Sequence, residues 1–572
     1  MRIRIANPAG VAPRISPREL PENFAQSAVN CRMDGGDLRP WADVSAAVAT
    51  VANTNGLTIY RFGQDVSGDT QYWFSFAGRV SLARVPVAGD TAEKTIFADG
   101  TYPKITDSSL AVGGTPYPND SYRLGIVSPD AAISTATVGG TATPNTSAED
   151  RYYIYTWLTS WGEESLPSPA KGPVSVKPGE TVDLSGIPTT PSGGFVDRGN
   201  VTHKRIYRSN TGSTSTEYQF VAEIAIGTTT LHDDIDDGDL GEICPSLEWA
   251  EPSNALHSLV ALTNGMVAGL DGNEACICEP FRPWAWPEAY RTPIDGKLIG
   301  AGGFGGYLVI CTDSDPFIGY ATTPEAYTFE RIRIAQGCVS QPSIVSTGDG
   351  VIYASPDGLV AVSQGAAPVI TDGIFSRDEW QKLNPSSIVG AFTEGRYHGW
   401  YSGASAPYNA WDGFILDLKS KTFSFTDVAA SAVYVDPIRD ALYVLQSTSV
   451  CRWGGGSAMS ATWKSKLFEF PKPVNLGAAQ IIVTSGTVSI NIYATMPSIS
   501  EASAVVIALG QAGVTNPDGT AIVKTAISSI TTAEPFRLPS GFMARSWEIE
   551  ITGTGQWSAV IVAQTMAELK GE

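Results

Sequence analysis

HSLVALTNGMVAGLDG at 257–272, KLIGAGGFGGYLVICT at 297–312, SIVSTGDGVIYASPDGLVAVS at 343–363, IVGAFTEGRYHGWYSG at 388–403 and SAVYVDPIRDALYVLQST at 431–448 share one pattern. Each has alternating apolar residues, a Gly or Asp turn, and alternating apolar residues again. The runs start at His257, Lys297, Ser343, Ile388 and Ser431, so they begin 40, 46, 45 and 43 residues apart. Alternation with period two marks half-buried strands. A repeat of this length matches a four-stranded propeller blade, a unit that buries its apolar faces only by stacking on its neighbours. The stretch from His257 to Gly454 is therefore expected to be the unbroken part of a β-propeller, within remaining blades spanning 253–462.

The same pattern continues upstream in LTIYRFG, TQYWFSFAG and RVSLARV, which end at Val85, and in a weaker pair from Glu93 to Leu110. These add one or two blades, so that 1–125 is an N-terminal segment with the first blade or blades, and the propeller has about six blades in all. Before them, LPENFAQSAVNCRMDGGDLRPW predicts a short helix from Glu22 to Asn30, a tight Asp34-Gly35-Gly36 turn and an extended exit through Arg39-Pro40-Trp41. This segment either completes the propeller as a closing strand or reaches a neighbouring subunit.

Between the two sets of blades the character changes. RYYIYTWLTSWGEESLPSPA, PVSVKPGETVDLSGIP, HKRIYRSN, YQFVAEIAIG and TTTLHDD are short strands spaced as in a β-sandwich of immunoglobulin or fibronectin size, which places an inserted domain at 126–252. After Trp453 the period stops. A new group of strands predicts a C-terminal β-sandwich over 463–572, with a short helix or loop within 497–509. The fold class is all-β.

Composition sets outer limits. The chain has 572 residues, more than one core supports, and 38 Lys and Arg against 58 Asp and Glu give a net charge of −20. That balance disfavours sequence-specific nucleic-acid binding, although a repelling wall suits a conduit for nucleic acid. Seven cysteines form no CxxC pair, and Cys276 and Cys278 fall on one face of an alternating run. They read as reduced core residues of a protein folded in a reducing cytosol. No apolar run approaches the roughly 20 residues that span a bilayer, and MRIRIANPAGVAPRISP lacks the apolar segment of a secretory signal.

Candidate chemistry weakens on inspection. HDDIDDGDLGE, from His232 to Glu242, fits a calcium loop in neither register: Gly238 takes the fifth position counted from Asp234, and Ile235 the third counted from Asp233. It reads as a solvated loop. Ser355-Pro356-Asp357-Gly358 lacks the tryptophan of a sialidase turn and occurs once, so Asp349 and Asp357 read as turn caps. GGFGG at Gly302 to Gly306 precedes a strand and no Lys-Ser/Thr, which makes it a hairpin. The histidines at 203, 232, 257 and 398 are scattered, with no nucleophile elbow beside them. No catalytic, cofactor-binding or metal-ligating residue is assigned, and no enzyme activity is expected. Aromatic residues say more. Trp284 and Trp286 in PFRPWAWPEAY, together with Trp41, are candidates for plugging a blade junction or for contacting a neighbouring subunit.

The order LPENFAQSAVNCRMDGGDLRPW, YTWLTSWGEESLPSPA, RIYRSN with LGEICPS, EPFRPWAWP, DGLVAVS and WSAVIVAQTMAEL resembles the nozzle-type tail proteins of short-tailed bacteriophages, also labelled phage stabilisation or tail tubular proteins. The similarity spans nearly the whole chain, and its specificity lies in the order of short motifs. The resemblance implies a structural virion protein made in the bacterial host cytoplasm and built into the virion tail. It implies a homohexameric ring through which the genome is retained and ejected. The partners implied are further copies of the chain, the adaptor and portal complex, tail fibre or needle proteins, and double-stranded DNA in transient non-specific contact. Two other readings stand beside it: another tail part, such as a hub or baseplate protein, and a propeller glycosidase or depolymerase acting on host surface polysaccharide. The second would need clustered Asp, Glu and Arg on blade-face loops, which Arg282, Arg291, Arg331 and Arg333 do not announce.

Overall fold

The computed structural model describes residues 1–63, 72–87, 90–191, 200–211, 216–496, 513–515, 521–538 and 543–569. The helix or loop expected within 497–509 lies outside them. Strands dominate, and the chain forms two compact units. One comprises Met1–Gly78, Asp313–Pro316 and Ile332–Glu572; the other comprises Arg79–Thr312 and Phe317–Arg331.

The second unit contains three four-stranded antiparallel meanders. The first is Ser81–Arg84, Thr95–Ala98, Pro103–Thr106 and Tyr122–Arg123; the next is His257–Ala261, Val267–Asp271, Glu274–Ile277 and Arg291–Pro293; the third is Leu298–Phe304, Tyr307–Thr312, Phe317–Tyr320 and Phe329–Arg331. Period-two alternation explains how the middle one is held. Val267, Cys276 and Cys278 face a core shared with Ile96 and Ile105 of the first meander, while Ala268, Leu270, Ala275 and Ile277 face a core shared with Leu308 and Ile310 of the third. Both faces are dry, and each large aliphatic side chain so buried contributes about 1.5–3 kcal/mol. Burial also pushes the thiols of Cys276 and Cys278 up to about 12, which keeps them protonated and unreactive. The GGFGG segment is the hairpin turn of the third meander. Gly305 and Gly306 adopt φ of 49° and 87°, a left-handed conformation that side chains resist.

Residues between the first two meanders form two further sheets. One is ordered Thr135–Gly140, Glu180–Ser185, Thr230–Asp233; the other is ordered Lys171–Val176, Glu149–Thr159, Val201–Thr211, Thr216–Ala225. Tyr153, Tyr155, Trp157, Val182, Leu184 and Ile206 share the core to which both sheets contribute.

In the first unit the repeat continues. Val345–Ser346, Val351–Ala354 and Leu359–Val362 form a three-stranded sheet, and Val389–Thr393, Arg396–Trp400, Gly413–Asp417 and Phe423–Thr426 a four-stranded run. Ala432–Asp436, Ala441–Gln446 and Ser449–Arg452 form a further sheet, and Thr58–Arg61 pairs with Trp73–Phe76 as a hairpin.

The N-terminal residues are laced through this unit. Arg2–Ala6 pairs antiparallel with Gln556–Ala563, and Ala47–Thr50 supplies the fourth strand beside Ser449–Arg452. The helix expected from Glu22 to Asn30 is instead the strand Ala25–Val29, antiparallel to Ala461–Ser465 and parallel to Phe423–Thr426. Tertiary pairing overrides a local preference here. The strand lies between two others, and the Gln26 amide donates to the Ser465 carbonyl and to Glu548. The C-terminal strands therefore join a sheet begun by Val389–Thr393, and one core holding Ile3, Ile5, Trp463, Ile490, Trp547 and Val562 serves both chain ends.

Candidate functional site

Of the three tryptophans singled out in the sequence, Trp41 leads to the most developed site. The Asp34-Gly35-Gly36 turn forms where expected, with φ of 101° and 88° at the glycines, and joins Cys31–Arg32 to Arg39–Pro40. It holds the Asp34 carboxylate among three guanidiniums: Arg32 Nε donates at 2.8 Å, Arg39 Nη2 at 3.1 Å and Arg396 Nη2 at 3.1 Å. Burial works against the Asp34 charge, but the bonds from Arg32 and Arg39 outweigh it and hold the carboxyl below its ordinary range. Arg396 also engages Glu394 and Asp417. The Arg32 and Arg396 guanidiniums lie 4.7 and 5.4 Å from the centre of the Trp41 ring, within cation–π range.

Beneath this charged layer is an aromatic one. His398 stacks parallel to Trp400 at 6.1 Å and meets Trp453 edge-on at 5.5 Å, and Trp41 contacts both His398 and Trp453. Trp41 and Trp453 border a surface cavity of about 470 Å³ whose rim includes Arg32, Arg39, Glu394 and Arg452. The indole nitrogens of Trp41 and Trp453 and Nδ1 of His398 are buried without a hydrogen-bond partner among the described residues. The spacing of Trp453 and Arg452 at the end of a repeat gave a weak signal. Nothing local to HGWYSG marks His398 as a neighbour of residue 41.

His398 is held neutral. Burial, with the Arg396 charge adding to it, depresses its pKa from 6.5 to about 3. Below pH 6.5 the unfolded chain takes up a proton that the folded chain refuses until about pH 3, so this site's share of stability is intact above 6.5 and drains away between those values. His398→Phe, which keeps a ring on Trp400, is expected to flatten that acid limb by up to about 1.4 kcal/mol per pH unit. Urea titrations at pH 6.5, 5.5 and 4.5 measure it; equal slopes for both proteins would show that His398 does not govern the limb.

The remaining candidates are dispersed. Trp286 is 1% exposed, in the core shared by the meanders 81–123 and 257–293, with its indole nitrogen donating to the Pro283 carbonyl at 2.8 Å. Trp284 is half-buried. Half of the acidic run's six carboxylates enter ion pairs, while Asp234, Asp236 and Asp239 are exposed. Asp233 is fully buried and accepts from Arg208 and the Tyr153 hydroxyl, Asp237 accepts from Arg208 and Arg151, and Glu242 accepts from Arg205. Asp357 accepts from Gln336 and Arg377. Among the described residues, no group of three or more His, Cys, Asp or Glu is placed to hold a metal ion. No histidine among them bonds both a carboxylate and a hydroxyl, as a nucleophile-activating base would.

No protein-family model matches this chain, and no curated protein matches it. Solved structures similar to it include BamB from Moraxella catarrhalis, at 8% identity and TM-score 0.25, covering 55% of this chain and 88% of that one. AztD from Citrobacter koseri matches at 12% identity and TM-score 0.23, covering 72% and 99%. The extracellular domain of a one-component system from B. thetaiotaomicron matches at 7% identity and TM-score 0.25, covering 61% of this chain and 44% of that one, so the chain spans less than half its length. BamB and AztD are β-propellers. At such TM-scores the likeness carries no argument, and the all-β fold of many small sheets rests on the meanders themselves.

Proposed function

We propose that this chain is a structural virion protein that forms the tail nozzle ring through which a phage genome is retained and ejected. The small successive sheets are read as propeller blades, seven if the hairpin of Thr58–Arg61 and Trp73–Phe76 counts as one. The two sheets of 126–252 and the C-terminal strands are read as sandwiches on that wall. The observation that carries the reading is the lacing of residues 2–6, 25–29 and 47–50 into three sheets built otherwise from residues after 388. Such cross-stitching resists progressive unravelling from either end, as a wall under the pressure of packaged DNA requires. The charge supports it too, since a wall of net charge −20 offers phosphates little to adhere to.

The ring is built from further copies of the chain, with the adaptor and portal complex above and fibre or needle proteins below. Electron microscopy of tailed particles with this chain labelled tests the reading. A six-fold ring on the tail axis is expected; a monomer or trimer at the periphery would sink it. Degradation of host surface polysaccharide by the purified protein, abolished by one Asp or Glu substitution, would replace it with the depolymerase reading.

A further inference from the structure

The two sheets of 126–252 present four edge strands, and three of them are guarded. Lys171–Val176 carries Lys171 and Pro173, which discourage strand addition. Thr230–Asp233 carries His232 and Asp233. Thr216–Ala225 is capped by backbone: the Phe220 amide donates to the Glu242 carbonyl, and the Gly241 and Cys244 amides donate back to Phe220 and Tyr218. The fourth, Thr135–Gly140, reads TATVGG; it has no charge and no proline, and among the described residues its only ladder partner is Glu180–Ser185. Val138 stands opposite Val182, a core residue, so it points to the inner face, yet it is 38% exposed. An apolar inward residue left open at an uncharged edge is the mark of a sheet that continues in a partner.

Charge narrows the partner. On the outer face Thr137 stands opposite Asp183, whose side chain is 61% exposed and meets His232 Nδ1 at 2.7 Å through one carboxylate oxygen, so a cation on an added strand would share that carboxylate with His232. The chain itself carries such a strand. Arg2–Ala6, RIRIA, is the edge of its own sheet, with Arg2 and Arg4 exposed and Ile3 and Ile5 buried. Its arginines oppose pairing with a copy of itself and favour an acidic neighbour.

We infer that Thr135–Gly140 of one copy is the docking edge for Arg2–Ala6 of a second copy, joining two sheets across the subunit boundary. Different patches meet, so the contact is head-to-tail and propagates around a ring. The inference rests on the ring reading and adds the contact that closes it.

Native mass spectrometry and sedimentation of the full chain test it, with circular dichroism to verify folding. Val138→Lys and Thr137→Pro are expected to weaken assembly at least tenfold with the spectrum unchanged. Arg4→Glu is expected to do the same, and adding Asp183→Arg to it to restore assembly. Full assembly of Val138→Lys or Arg4→Glu, or no recovery in the charge-swapped pair, would overturn the strand contact. A six-fold ring in particles carrying Val138→Lys would leave the nozzle reading standing while removing this interface. Particles whose tail ring lacks the chain would instead remove the nozzle reading and, with it, this interface.

Discussion

Asp436→Ala is expected to cost the unit that contains it about 3–5 kcal/mol, because it strips the carboxylate from a buried ion pair and leaves the cation behind. Arg61 and Asp436 both have fully buried side chains, 2.8 Å apart, on segments 375 residues apart in the chain. The same carboxylate receives Arg439 Nη1 at 3.2 Å and the amides of Ile438 and Arg439, so it also shapes the turn that ends the strand Ala432–Asp436. The surrounding core is aromatic: Tyr60 and Trp73 on the hairpin meet Tyr434 edge-on, and Trp73 also meets Tyr443. Asp436→Asn keeps an acceptor for the turn amides but not the charge, and should fall between wild type and alanine. The double change Arg61→Met with Asp436→Leu should recover part of the loss, since an apolar pair of similar volume escapes the desolvation penalty but leaves the Ile438 and Arg439 amides without their acceptor. An exposed pair supplies the contrast. Arg14 and Asp372 are 50% and 79% exposed, and breaking their contact should cost less than about 1 kcal/mol. Urea denaturation measures each variant, with hydrogen exchange in Thr58–Arg61 to localise the change. A loss below about 1 kcal/mol for Asp436→Ala would show that the pair does not hold the hairpin to its neighbour.

What the sequence disclosed and what it hid divide along physical lines. Meanders were legible because alternation is local: Val267 to Leu270 and Ala275 to Cys278 announce two buried faces without reference to any distant residue. The Gly305-Gly306 and Gly35-Gly36 turns were legible for the same reason, since φ is a property of one residue. Partnership across the chain was not. Ala25–Val29 is five small or polar residues with no strong preference, and only Ala461–Ser465 and Phe423–Thr426 make it a strand. Trp41 was found as a candidate, but its companions His398 and Trp453 come from two other sheets, and its arginine layer from residues 32 and 396. The acidic run at 232–242 reads as a solvated loop, and Asp234, Asp236 and Asp239 are exposed, whereas Asp233, Asp237 and Glu242 neutralise Arg208, Arg151 and Arg205. Charge density along the chain gives no sign of whether a guanidinium waits nearby in space.

Trp463→Ala is the second change expected to be severe, at about 3–5 kcal/mol for a fully buried tryptophan whose site cannot collapse around the void. Trp463 is 0% exposed and meets Trp557 edge-on at 5.6 Å between ring centres. Its strand stands between Ala25–Val29 and Ala544–Gly553, and its indole nitrogen donates to the Ala9 carbonyl at 3.0 Å. One side chain thus pins the link between the first two N-terminal strands to the C-terminal sheet. Trp463→Phe separates the two contributions. It keeps most of the ring but leaves the Ala9 carbonyl without its donor, for a smaller loss of about 1–3 kcal/mol. In both variants hydrogen exchange should rise first in residues 2–6 and 25–29, before the strands 351–354 and 359–362 of the same unit respond. Uniform acceleration across the unit would mean that the lacing is not a separable element. Selective release of the N-terminal strands would mean that the chain ends are the weak seam of the wall. If Arg2–Ala6 also docks on a second copy, such release should lower assembly in the same variants, even though Trp463 itself is fully buried.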